Sequence, residues 1–112
     1  MKFALIYQYD PTTTGPTEEE LPDWFAFEKE TKDAGALVYD CGFYGVDAAQ
    51  TVRLSDGATA TETGVQHTGP QVPAGMVVVE VEDVDAAVTW AAKLPTAHYG
   101  SVQVRPLVEW DG

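Results

Sequence analysis

Apolar and polar positions along the chain fall into blocks with different periods. Lys2–Tyr9 alternates, with Leu5, Tyr7 and Tyr9 on one side and Ala4, Ile6 and Gln8 on the other. Both sides are largely apolar, which predicts a strand inside a sheet rather than at its margin. DPTTTGP reads as a loop. TEEELPDWFAFEKETKDAG then changes to a helical period, with Trp24, Phe27, Thr31 and Ala34 on one stripe. Thr17 and Glu20 have capping-box spacing, Pro22 suits a helix start, and Gly35 is placed to end it.

ALVYDCGFYG predicts a second strand, and TVRLSDGATAT a hairpin turning at Asp56-Gly57. The stretch ETGVQHTGPQVPAG, with three Gly and two Pro, predicts a mobile loop over residues 64–75 beside a cleft. MVVVEV reads as a buried strand. DVDAAVTWAAKLP reads as a helix capped by Asp83 and ended by Pro95, with Val84, Ala87, Val88 and Ala91 as its apolar stripe. SVQVRPL alternates Val102 and Val104 against Gln103 and Arg105, and Pro106 places it at an edge or ends it there.

The order is β-α-β, a hairpin, then β-α-β. It predicts a single domain over residues 1–112: an α+β, ferredoxin-like sandwich of the βαββαβ type with an extra β-hairpin. Both helices would cover one sheet face and leave the other, carrying aromatic and aliphatic side chains, without a cover. A homodimer packed sheet to sheet, a dimeric α/β barrel-like assembly, answers that exposure most simply.

Charge narrows the partners. With 18 acidic and 6 basic residues, the formal charge of −12 argues against nucleic acid and anionic membranes, both of which need a basic face. It suits solubility or the steering of a cationic ligand. The N-terminal apolar run is too short and interrupted for a secretory leader, and no stretch has the length of a membrane span. Cys41 is the single cysteine, so no internal disulfide forms, and a reduced, cytoplasmic setting is expected. No HxH, HxxxH, HxxE or CxxC spacing points to a metal, and no GxGxxG or phosphate loop points to a nucleotide. No cofactor is expected.

Candidate chemistry rests on few residues. His67, in the long loop, titrates in the range that suits general acid/base work. Asp40, in the second strand, is expected to be buried, and so to be either a site residue or the ion-pair partner of Arg53 or Arg105. Those two arginines lie in strands and would clamp a carboxylate ligand or neutralise local acids. Tyr7, Tyr9, Tyr39, Phe43 and Tyr44 would line the sheet face or its rim, most of them as core or dimer interface and one or two edging a pocket. His98 follows a helix end, where an imidazolium suits the dipole, and is a further ligand-binding candidate. Cys41 reads as a small buried hydrophobe.

Several of these segments resemble the YCII-related family, in particular its DGPF branch, over nearly the whole chain. GALVYDCGF is similar to the family's G-x-L-V-x-G-x-x-L, and AAQTVRLSDGATATETG to its A-x-T-V-R-x-x-D-G hairpin. VEVEDVDAAVTWAAKLPTAHYGSVQVRPL resembles V-x-D-L-D-E-A-x-x-W-A-x-x-x-P followed by G-S-V-E-V-R-P, with Trp90, Pro95, Gly100, Arg105 and Pro106 in register. The resemblance implies a ferredoxin-like fold and a dimer. It also implies a His98 shared with many relatives. The branch's T-D-G-P-F-A-E-T-K-E-x-x-G-G loop falls on residues 62–75, where only glycines persist and His67 stands among them. YCII enzymes are thought to pair a histidine of the first helix with an aspartate near the second strand. By the resemblance Asp40 is that aspartate's counterpart, but this first helix has no histidine, and Trp24 lies near its place.

Two functions follow from these residues. One is a dimeric small-molecule binding or accessory module with a cleft near the 62–75 loop. The other is a cofactor-independent lyase or isomerase that uses His67 and Asp40 on an aromatic or carboxylate substrate.

Overall fold

The computed structural model describes residues 1–65 and 69–110. Among the described residues there are six strands and two α-helices: β1 (Lys2–Tyr9), α1 (Leu21–Asp33), β2 (Leu37–Gly42), β3 (Gln50–Ser55), β4 (Ala58–Thr63), β5 (Val72–Glu80), α2 (Val84–Ala91) and β6 (Ser101–Pro106). Four strands form one sheet in the order β2–β5–β1–β6, with every neighbouring pair antiparallel. The arrangement is α+β and compatible with a ferredoxin-like fold. β1 is central and β6 lies at an edge and stops at Pro106, as the sequence predicts.

Both helices pack on the sheet face formed by Phe3, Leu5, Val77 and Val79, and Phe27, Ala87, Ala91 and Leu94 close the core from the helix side. Thr31 is buried in this layer with its hydroxyl satisfied, donating to the Phe27 carbonyl one turn back at 2.8 Å. Glu20 accepts from the Thr17 backbone N–H at 2.9 Å, which completes that arm of the expected capping box. The Asp83 carboxylate accepts from the Ala86 N–H at 2.9 Å and starts α2.

Three expectations need correction. The buried stripe of α2 is Ala87, Ala91 and Leu94 with Trp90 beside them, whereas Val84 and Val88 are each 50% exposed. Both sets have helical spacing, and the helix rolls toward the one that buries an indole and a leucine. In α1, likewise, Ala34 is exposed. Strand β5 begins at Val72, which pairs with Tyr9, so the irregular stretch ends at Gln71 rather than at Gly75. Pro73 fits inside the strand because the register with β1 shifts there, between Tyr7 and Gln8. Gln71 is itself held, accepting from the Ser101 hydroxyl, which accepts in turn from the Gln8 amide at 3.1 Å.

Strands β3 and β4 pair only with each other, turning at Asp56 and Gly57, both with positive φ. That is the primed two-residue turn that Asp-Gly favours. Their side chains are exposed apart from Thr51, so the hairpin stands off the domain. Among the described residues, no helix is long and apolar enough to cross a membrane.

The roll of α2 has a measurable consequence. Leu94→Ala, at a fully buried position, should cost about 3 kcal/mol in urea unfolding, whereas Val88→Ala should change stability by less than about 0.5 kcal/mol. Equal losses would mean that the helix presents the other stripe.

Candidate functional site

Continuing the core row of β1 outward, Tyr7 follows Phe3 and Leu5 on the helix face. Its ring runs across β5, and its hydroxyl donates to the Cys41 carbonyl of β2 at 3.2 Å. The path crosses Gly75, the residue paired with Tyr7, where any Cβ would fall on the phenol and on the Cys41 carbonyl. A side chain at position 75 would therefore close this route. Burial pushes the Tyr7 phenol up to about 12, with Cys41 and Asp40 adding to the shift.

Trp24 of α1 meets the other side of Tyr7, with ring centroids 5.0 Å apart and planes tilted by 58°. The indole N–H donates to Glu20 at 2.8 Å, and the Tyr99 hydroxyl donates to the same carboxylate at 3.1 Å. Glu20 thus joins the start of α1 to the turn after α2 while it fixes the indole. Tyr99 also packs edge-on against Tyr9, 5.9 Å away.

Between α1 and β2 these rings border a cavity of about 210 Å³, lined by Tyr7, Trp24, Phe25, Phe27, Glu28 and Asp40 among others. The β2 register slips by one residue between Leu37 and Tyr39, so Asp40 pairs with Val77 on the helix side and enters the cavity wall. Asp40 is exposed there, not buried as expected, because β2 is an edge strand. Glu28 is tied to Lys32 at 2.6 Å, whereas Asp40 makes no ion pair among the described residues.

The sequence model of the YCII-related domain matches residues 1–111. The chain belongs to the YCII-related family. No curated protein matches it. Within this YCII-related domain, Trp24 of α1 and Asp40 of β2 line one cavity.

The other residues singled out from the sequence are dispersed. Arg53 lies on the projecting hairpin, 3.8 Å from Glu62, and not beside Asp40. Arg105 pairs with Ala4 on the sheet face away from the helices, on the edge strand opposite β2. His98 is exposed and borders a different cavity, between α1 and the turn after α2, with Asp23, Glu30 and Lys93. His67 lies outside the described residues. Tyr7 and Tyr9 sit on the helix face, and Tyr39 is the aromatic that β2 contributes to the open face. Cys41 is a half-buried free thiol on that open face. A second cavity, about 370 Å³ and largely apolar, lies between residues 42–49 and Val65 with Pro73; the exposed Phe43 and Tyr44 border it. No group of three or more metal-ligating side chains is present among the described residues.

Sequence reasoning missed Glu20, Phe25 and Glu28 as parts of the site. Glu20 was legible as a cap, but its second task depends on Tyr99, 79 residues away.

The phenol gives a pH test. Tyr7 has an ordinary value of 10.0 unfolded and about 12 folded, so the folded state holds its proton longer. Its contribution is complete below the unfolded value and is lost as pH rises through the folded one. Stability should therefore fall between pH 10.0 and about 12, and Tyr7→Phe should flatten that decline. Tyrosinate absorbance should show one of the five tyrosines titrating last and missing in the variant.

Proposed function

We propose that this chain is a dimeric binding or accessory module that holds a small molecule in the cavity between α1 and β2. The observation that carries the reading is the make-up of that cavity. Its aromatic walls are locked by hydrogen bonds from Tyr7 to Cys41 and from Trp24 to Glu20. Its phenol is pushed away from neutrality, and its described lining contains carboxylates but no imidazole. Such a site is built to hold a ligand rather than to shuttle a proton near pH 7. The lyase or isomerase alternative rests on His67, which lies outside the described residues.

The dimer is supported by two surfaces. The molecule measures 48 × 42 × 19 Å, and the short axis is one sheet plus one helix layer. The face away from the helices carries Ile6, Met76 and Tyr39, partly or largely exposed around the already buried Ala4 and Val78, and a second copy would cover those three. The β3–β4 hairpin stands apart as a two-stranded unit, which on its own is marginal in water.

Two measurements test this. Light scattering should give twice the 12.1 kDa chain mass, and Ile6→Glu on the open face should return one chain mass with the circular dichroism unchanged. In a thermal-shift screen, the stabilisation by any hit should fall for Trp24→Leu and persist for His67→Ala. A hit that is turned over, and whose turnover is lost with His67→Ala, would establish the enzyme reading instead.

A further inference from the structure

From the chemistry of the same cavity we infer that its ligand is a small organic cation, an alkylated ammonium group seated against Trp24 and Tyr7 with Asp40 as its counter-charge. This rests on the binding-module reading and gives that reading a ligand class. Three observations converge. The Tyr7 and Trp24 rings, 5.0 Å apart and tilted by 58°, make a corner of two π-faces, and Phe25, 64% exposed, stands at the rim. Aromatic corners of this kind attract cations through the ring quadrupole, trimethylated ammonium groups above all. The charge in the lining is also one-signed. Lys32 is bonded to Glu28 and feels Asp40 only at longer range, no cation among the described residues comes within ion-pair distance of Asp40, and neither Arg53 nor Arg105 reaches the cavity to receive an anion. Finally, the cavity's volume of about 210 Å³ is below the ~300–1,000 Å³ of drug-sized pockets, so it fits a headgroup rather than an extended molecule. The fold already makes one such contact internally, where the Lys93 ammonium sits 5.1 Å from the Trp90 ring centroid.

The surrounding field acts in the same direction. A formal charge of −12 on 112 residues raises the local concentration of cations and repels carboxylate ligands. Binding should therefore weaken as salt is added, more than a purely apolar contact would.

The test uses the full chain, nitrogen-labelled so that the indole N–H signals of its three tryptophans are followed, with that of Trp24 assigned by Trp24→Phe. The probes are choline, its neutral isostere with carbon in place of nitrogen, and benzoate. Choline should move the Trp24 signal and bind at least about tenfold more tightly than the neutral isostere. Asp40→Asn should weaken choline by about tenfold and leave the isostere unchanged, while Asp85→Asn on the outer turn of α2 should leave both unchanged. Thermal melts of each variant confirm that it is folded. Equal binding of choline and its isostere, tighter binding of benzoate, or full choline affinity in Asp40→Asn would each overturn the cation assignment. If benzoate or the isostere moves Trp24 and choline does not, the cavity still binds small molecules and only the cation inference fails. If no probe moves Trp24, the cation inference is overturned, and the thermal-shift screen decides the broader reading separately.

Discussion

Strand β1 is hydrogen-bonded along both edges, and its Phe3 and Leu5, at 1% and 0% exposure, lie beneath both helices. A strand in that position must be apolar on its inner face, and its register fixes everything paired to it. β5 and β6 take their alignment from β1, and β2 takes its own from β5. The helices pack on the row that β1 and β5 present, which Leu37 of β2 and Val102 and Val104 of β6 widen on either side. The candidate site continues that row: Tyr7 is the next inward residue after Leu5, at the point where the core gives way to solvent.

The rings that wall the cavity are held by hydrogen bonds although the cavity lies at the edge of a small domain: Tyr7 to the Cys41 carbonyl of β2, and Trp24 to Glu20 one turn back. Glu20 is the more economical of these anchors, because one carboxylate closes the capping box of the 3-10 turn leading into α1, holds the indole and reaches the turn after α2 through Tyr99. Preorganised walls lower the ordering cost of binding, which matters most when a ligand is small and has few atoms to contribute.

Much of the architecture is legible in the sequence because it follows from local signals. The Asp56-Gly57 turn, the Asp83 cap and the stop at Pro106 each depend on neighbours within a few residues. What was not legible depends on partners distant in sequence. Val84 and Val88 have the same helical spacing as Trp90 and Leu94, and only packing against the sheet decides between the two stripes. Val72 and Pro73 look like the end of a Gly- and Pro-rich loop until Tyr9 and Gln8 are placed beside them. A strand position predicts a buried Asp40, yet β2 is the edge of the sheet, and strand order is not written in a strand's own residues. That Tyr7 and Asp40 line one cavity, and that Arg53 and Arg105 lie elsewhere, required the topology.

The one-residue slip in β2 sets which chemistry faces the cavity. Side chains in a strand obey an odd-even parity, and the extra residue at Val38 inverts that parity for all that follows. Asp40 faces the helices and Cys41 the opposite side only because the inversion occurs upstream of both. Were Val38 paired opposite Val78 instead of left over, Asp40 would move to the open face and Cys41 to the helix face, which exchanges a carboxylate for a thiol in the cavity wall with neither residue altered. The reactivity of the pocket is therefore set by where the strand takes up its extra residue as well as by which side chains the strand carries.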